Sequence, residues 1–255
     1  MADTPHMLPS MRVDGQVALV TGAGRGIGRG CAIALAEAGA EVIALARSGG
    51  ELEQVVAEIE AVGGKGRAMT CDVTDREALA AAFAGLGRLD ILVNNAGTGL
   101  PSPFLDLKTE NLDWMVDLNI RAATLAAQAA ARIMVPQGSG VIVNLSSTFG
   151  KVGRPNQAVY SATKHYVEGL TKSLGVELAP TGVRVVAVGP TAIETPMTAA
   201  RLADPTTGGD LLARIPMGRF GQVDDVVGAV VFLCSPAARL ITGTTLMVDG
   251  GWTAQ

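Results

Sequence analysis

Apolar residues follow two rhythms along this chain, and the rhythms alternate from one end to the other. Short, mainly apolar runs at residues 17–20 (VALV), 41–46 (EVIALA), 90–93 (DILV), 140–145 (GVIVNL), 184–188 (RVVAV) and 245–248 (TLMV) fit buried strands, with a further one near 67–71. Between them apolar positions recur every three or four residues. Leu52, Val55, Val56, Ile59 and Val62 mark an amphipathic helix closed by Gly63-Gly64. A long helix is expected over 109–134, another carries Tyr160 and Lys164, and a third covers 226–233 and stops at Ser235-Pro236. Strand and helix in turn predict one α/β domain. Three stretches fall outside the rhythm. Residues 98–108, with Pro101 and Pro103, and the glycine-rich residues 148–155 read as loops. Residues 191–214, with Pro196, Pro205 and Gly208-Gly209, are the least regular and stand as a candidate lid beyond a strand end.

The first strand runs into Thr21-Gly22-Ala23-Gly24-Arg25-Gly26-Ile27-Gly28, after which Ile33, Ala34, Leu35 and Ala38 take up helical spacing. Glycines allow a sharp turn and a close approach of ligand to backbone, and the helix start behind them offers unpaired N–H groups and a positive dipole end. A dinucleotide pyrophosphate suits such a site, although a glycine turn that only packs a helix has the same composition. The second strand ends at Ala46-Arg47. An acid there would bind ribose hydroxyls, whereas a base accommodates a 2′-phosphate. Arg47, with Arg25 as a second positive charge, therefore favours NADP over NAD; the plain alternative is a solvated arginine. Asp72-Val73 falls at the end of the third strand, placing Asp72 either near an adenine amino group or in the cap of the helix that Thr74-Asp75 begins. Asn94-Asn95-Ala96-Gly97 ends the fourth strand in a tight turn suited to a flat ligand.

Tyr160 and Lys164 are four apart and share a helix face. A phenol with an ordinary pKa of about 10 needs help to accept a proton near neutral pH. An ammonium about 4 Å away contributes roughly 4 kcal/mol at an effective dielectric of 20, about 3 pKa units before desolvation takes its share. The alternative is a surface pair. Asn119 lies mid-helix among apolar residues and is expected to be buried with partners, a structural role on these grounds alone. His165 lies off the Tyr160 face. Lys151 and Arg154, in the loop before Tyr160, are two cations placed to bind a carboxylate, and Gln157 is placed to orient substrate hydroxyls. An anionic hydroxy acid or sugar acid is the substrate this predicts.

Composition narrows the field. Of 255 residues 48% are hydrophobic and 17% charged, enough for one large core, and a net charge of −4 without a basic stripe excludes an extended nucleic-acid surface. Residues 1–12, with Pro5 and Pro9, lack the apolar run of a signal peptide, and no 18-residue apolar segment occurs elsewhere, so a cytoplasmic protein without a membrane partner is expected. Cys31, Cys71 and Cys234 form no CxxC pair and no His cluster, which predicts reduced packing residues and no metal. The expected division is an extension at 1–14 and one dinucleotide-binding catalytic domain at 15–255, with a substrate loop at about 191–214.

Taken together these residues resemble the short-chain dehydrogenase/reductase family in its compact subgroup, over about residues 15–251. The motifs occur in order: Thr21-Gly22-Ala23-Gly24-Arg25-Gly26-Ile27-Gly28, Asn94-Asn95-Ala96-Gly97, the helix Asn119, Ser147, Tyr160-Ser161-Ala162-Thr163-Lys164 and Val248-Asp249-Gly250-Gly251. The resemblance implies a Rossmann-type, doubly wound parallel sheet of seven strands and a reversible hydride transfer between a nicotinamide and a carbonyl or secondary-alcohol carbon. Tyr160 is then the general acid/base and Ser147 the hydrogen-bond partner of the substrate oxygen. Lys164 binds the nicotinamide ribose and lowers the Tyr160 pKa, and Asn119 holds a water that passes the proton out. Gly22, Arg25, Ile27 and Gly28 hold phosphate and ribose, Asp72 and Val73 the adenine, the turn Asn95-Ala96-Gly97 the adjoining ribose, and Ile193 and Thr195 the nicotinamide end. A homotetramer built through the Tyr160 helix and the C-terminal strand is also implied, with His165 and Tyr166 as interface residues and Trp252 either over a neighbour's pocket or in an ordinary interface. One departure stands out: the family usually has Pro-Gly after the sixth strand, and this chain has Gly189-Pro190-Thr191, so its next loop is expected to leave the sheet differently.

Three other functions compete with a sugar-acid or hydroxy-acid oxidoreductase. A 3-oxoacyl thioester reductase shares the motifs. An enoyl reductase is disfavoured, because those related enzymes set tyrosine and lysine farther apart. A catalytically silent nucleotide sensor is disfavoured by the intact Asn119, Ser147, Tyr160 and Lys164.

Overall fold

A sheet covered on both faces leaves no side for a polar residue, so the unbroken apolar runs become its strands. The computed structural model describes residues 9–255; residues 1–8 of the expected N-terminal extension lie outside them. The strands are β1 (Val17–Thr21), β2 (Glu41–Ala46), β3 (Lys65–Thr70), β4 (Ile91–Asn94), β5 (Gly140–Leu145), β6 (Val183–Pro190) and β7 (Thr245–Val248). They form one parallel sheet in the order β3-β2-β1-β4-β5-β6-β7. Neighbours in sequence face opposite sides. Ala18, Val20, Val42, Ala44, Ile91 and Val93 enter one core, and Leu19, Ile43, Leu45 and Leu92 the other.

Helices close both faces. The first core is completed by α1 (Gly26–Glu37), α2 (Gly49–Ala61) and α9 (Val223–Cys234) through Leu35, Leu52, Ile59, Val226 and Val230. The second takes Leu79 and Phe83 of α3 (Arg76–Ala84) and Ala126, Ala130 and Met134 of α5 (Ala123–Gln137). Each fully buried leucine or isoleucine stabilises the fold by roughly 1.5–3 kcal/mol. Remaining helices are α4 (Thr109–Val116), α6 (Ala158–Leu178), α7 (Ala199–Ala203) and α8 (Pro205–Leu212). Cys31, Cys71 and Cys234 are free and buried.

Several expectations need correction. The third strand begins at Lys65 and ends before Cys71, because an edge strand exposes polar residues and offers no unbroken apolar run. The long helix is interrupted: residues 117–122 widen into a π segment between α4 and α5. The stretch 191–214 is less irregular than its composition, since α7 and α8 form there with Pro205 at the start of α8. Val13, within the expected extension, is fully buried in the first core. Finally, β6 continues through Pro190, and Thr191 N–H still donates to Val248 O at 3.1 Å, so the chain leaves the sheet later than the 184–188 run predicts.

The order of the strands reverses between β1 and β4, which opens a crevice above their carboxyl ends. Every expected cofactor residue lies on a loop at that edge or on a helix beginning there.

Candidate active site

A cavity of about 830 Å³ runs along the carboxyl edge, from Arg47 and Asp72 at one end to Ser147, Gln157 and Tyr160 at the other. Its floor near β1 is backbone. Gly22 has φ +65°, and a Cβ there would lie 2.9 Å from Asn95 Nδ2; a Cβ on Gly28 would lie 2.2 Å from Gly22 O. Only glycine permits this closeness. The turn is braced from β4: Thr21 Oγ1 accepts from Asn95 N–H and Ala96 N–H, each at 3.0 Å, and Asn95 Nδ2 donates to Thr21 O at 2.9 Å. The Asn95 side chain thus holds the cradle. Arg25 caps α1 without a side-chain hydrogen bond, and the first turn carries no acid, so the helix start faces the cavity with its N–H groups and positive end.

At the β2 end, Arg47 Nη1 stands 3.8 Å from Asp72 Oδ2, with Arg47 exposed and Asp72 half-buried. Asp72 Oδ1 accepts from Thr74 N–H at 2.9 Å and Thr74 Oγ1 at 2.7 Å. Burial pushes the Asp72 carboxyl up, and the Thr74 hydrogen bonds with the Arg47 charge outweigh it, leaving it below the usual range. The two readings of this stretch divide between neighbours, because Asp75 is the residue that caps α3. Gly97, Val73, Ile193 and Thr195 also line the cavity.

At the far end, α6 carries Tyr160 and Lys164 beside Ser147. Lys164 Nζ donates to Leu145 O at 2.7 Å and lies 5.7 Å from the Tyr160 ring centroid. Burial pushes the Lys164 ammonium down to about 8. Burial also pushes the Tyr160 phenol up, and the Ser147 hydroxyl and the Arg201 guanidinium oppose this without reversing it. In the protein by itself one Lys164 N–H is turned to the end of β5, and the Arg201 guanidinium is a second cation whose charge favours the phenolate. Asn119 sits in the π segment, where one extra residue per turn swings it inward. Its Nδ2 donates to Thr98 O at 2.7 Å and Thr163 Oγ1 at 3.1 Å, and its Oδ1 accepts from Thr98 N–H at 2.9 Å. This pins the loop whose Gly99 lies flat on the Tyr160 ring, where a Cβ would stand 3.1 Å from Cδ2.

The expected carboxylate cations are engaged elsewhere. Lys151 Nζ pairs with the buried Glu168, and Arg154 Nη2 with Asp210 Oδ2 at 2.8 Å. Neither lines the cavity. Gln157 does line it and is 3% exposed, with an Oε1 that has no hydrogen-bond partner. Arg201, which the sequence reading missed, lines the same end. Trp252 packs within its own chain, 5.7 Å edge-on from Phe149, and closes the cavity beside Leu211. His165 Nδ1 lies 2.9 Å from Ser161 O, away from the cavity.

A family model described as enoyl-(acyl carrier protein) reductase matches residues 22–253. The L-xylulose reductase of Bos taurus is 42% identical over 245 residues, spanning 96% of this chain and 99% of that protein. A 3-oxoacyl-[acyl-carrier-protein] reductase of Synechocystis is 42% identical over 242 residues, spanning 92% and 96%. The crystal structure of a gluconate 5-dehydrogenase from Burkholderia cenocepacia J2315, in complex with NADP and tartrate, matches with a TM-score of 0.93 at 36% identity, over 98% of this chain and 100% of that one.

Proposed function

The chain belongs to the short-chain dehydrogenase/reductase family, as a nicotinamide-dependent oxidoreductase of CH-OH groups, and from that premise we propose that it interconverts the secondary alcohol and ketone of a small sugar-like molecule with NADP. The observation that carries this is the meeting of Ser147, Tyr160 and Lys164 at one end of a cavity whose other end is a glycine cradle. Sugar-like substrates are supported by the names of the Bos taurus and Burkholderia relatives, and NADP by the latter's bound cofactor.

The residues present fit a dinucleotide. The cradle at Gly22 and Gly28 would be filled by any Cβ, the α1 start has no acid to compete with a pyrophosphate, and the β2 end offers Arg47 in place of an acid. Gly22, Arg25, Ile27 and Gly28 would hold the pyrophosphate side, Arg47 the 2′-phosphate, Asp72 and Val73 the adenine, Asn95, Ala96 and Gly97 the adjoining ribose, and Ile193 and Thr195 the nicotinamide end. When bound, NADP supplies the hydride acceptor or, reduced, the donor. Ser147 donates to the substrate oxygen, and Tyr160 gives that oxygen a proton on reduction or takes it on oxidation. Lys164 has one of its three N–H groups committed to Leu145 O and offers the others to ribose hydroxyls. Asn119 has both amide N–H groups taken, so we assign it to positioning the 97–99 loop against Tyr160 rather than to donating to a water.

A homotetramer and a cytoplasmic location belong to the same proposal. Support for the first is that β7 is an edge strand with Leu246 exposed and that α6 exposes Tyr166 and Val176. Support for the second is the three free cysteines, two of them, Cys31 and Cys234, pushed up by burial into the unreactive thiol form. Among the described residues no helix is long and apolar enough to cross a membrane.

The test is nicotinamide absorbance with a panel of ketoses, keto acids and 3-oxoacyl thioesters, NAD and NADP in parallel. Turnover of sugar-like ketones with NADP is expected, and Tyr160→Phe should lose about 10³-fold in kcat with NADP binding retained. Equal turnover by the variant removes Tyr160 from its role, and turnover of thioesters alone moves the assignment to acyl-chain reduction.

A further inference from the structure

Arg201 stands in an unusual position for a partly buried guanidinium. Other arginines of similar burial are satisfied: Arg29 donates to Glu58 at 2.6 and 2.7 Å, Arg154 to Asp210, and Arg184 to the carbonyls of Leu233 and Ile241. Arg201 makes no hydrogen bond and no ion pair with the described residues, and its buried Nε has no partner. The acid three residues on, Asp204, is spent as the cap of α8, accepting from Thr207 N–H at 2.6 Å. A buried donor without a partner is costly, and a guanidinium fork in a cavity wall suits an anion.

The place of the fork says which anion. Arg201 lies close enough to Tyr160 for its charge to act on the phenol, which places it at the substrate end, whereas the cofactor cradle and Arg47 lie at the other. The next residue, Leu202, is buried with Leu211, Phe149 and Trp252, which anchors the backbone that carries the guanidinium. Gln157 lines the same end, with its Oε1 buried and without a hydrogen-bond partner.

Resting on the oxidoreductase reading above, we propose that Arg201 binds a carboxylate of the substrate, so that the substrate class is a hydroxylated carboxylic acid, of the aldonate or keto-aldonate kind. Arg201 is then a specificity-determining residue. It holds the acid end by charge-assisted, fork-to-fork hydrogen bonds and leaves Ser147 and Tyr160 to the reacting carbon's oxygen.

The experiment compares kcat/KM for an aldonate and for the alditol of equal carbon number, which differ only in a carboxylate against a CH₂OH. Wild-type protein is expected to favour the aldonate, and Arg201→Gln to lower the acid-over-neutral ratio on the order of 30-fold, with Arg201→Lys recovering part of it. An unchanged ratio overturns the inference. A second measurement does not need turnover. Calorimetric binding of malonate to the NADP-loaded protein should weaken on the order of 30-fold in Arg201→Gln, with NADP affinity held within about twofold. Equal malonate affinity, or a matching loss of NADP affinity, overturns the assignment. If wild-type protein oxidises neither compound and reduces no ketone, the oxidoreductase proposal fails, and the malonate result decides on Arg201 separately.

Discussion

The two ends of the cavity are built by different means. At the cradle the wall is backbone: Gly22, Gly28 and the start of α1 lie within a dozen residues of one another, and neither glycine has room for a Cβ. At the substrate end it is side chain. Phe149, Leu202, Leu211, Ile215 and Trp252 arrive from distant parts of the chain to pack one wall, and Gln157 and Arg201 project from it. The first kind of site needs glycine at fixed short spacings and writes itself into the sequence. The second needs only complementary shapes and leaves no local trace.

Gly28→Ala tests the first half of this contrast most severely. Its Cβ would meet Gly22 O at 2.2 Å and Asn95 Nδ2 at 2.5 Å, so the cradle must open. Overpacking of this kind costs about 1–3 kcal/mol, and a fluorescence titration should show NADP binding weakened about 100-fold. Unchanged affinity would mean that side chains rather than the cradle carry the cofactor.

Legibility followed the same division. Strands β2, β5 and β7 fall on their apolar runs, while β3 was displaced because four of its six residues are exposed on the sheet edge and none is buried. The π segment left no sign, since it is held by what Asn119 meets: Thr98, 21 residues before it, and Thr163, 44 residues after. Lys151 and Arg154 were misplaced for the same reason, their acids lying 17 and 56 residues on. Arg201 left no local sign either, because its place in the cavity wall is set by Leu202 packing against Leu211, Phe149 and Trp252.

Lys164 lies at the substrate end beside Tyr160, and its burial has a cost in stability. Its folded pKa of about 8 lies below the ordinary 10.5, so between those values the unfolded chain binds more protons than the folded one. Stability should therefore rise with pH through that window, and the penalty is fully present below it. The shift corresponds to about 3 kcal/mol. Lys164→Met removes the charge and also the hydrogen bond to Leu145 O, worth about 1 kcal/mol. Urea unfolding without cofactor at pH 7 should find the variant about 2 kcal/mol more stable, and inactive, with the advantage shrinking towards pH 10. An advantage that stays level across that range would place its origin in packing instead.

The smallest effect probes whether the substrate wall is as set as the cradle. Gly208 and Gly209 sit side by side in α8, one buried and one exposed. A Cβ on Gly208 would stand 2.2 Å from Leu202 O, so that glycine lets α8 lie against the turn that carries Arg201. A Cβ on Gly209 meets nothing within 4 Å. Gly209→Ala thus alters only backbone freedom, and it should raise stability by about 0.5–1 kcal/mol, seen as a rise of about 2 °C in Tm. With α7 and α8 already anchored through Leu202 and Leu211, kcat/KM should stay within about twofold. A clear fall in kcat with the stability gain would instead make Gly209 a hinge, and the wall around Arg201 a lid that must open for each turnover.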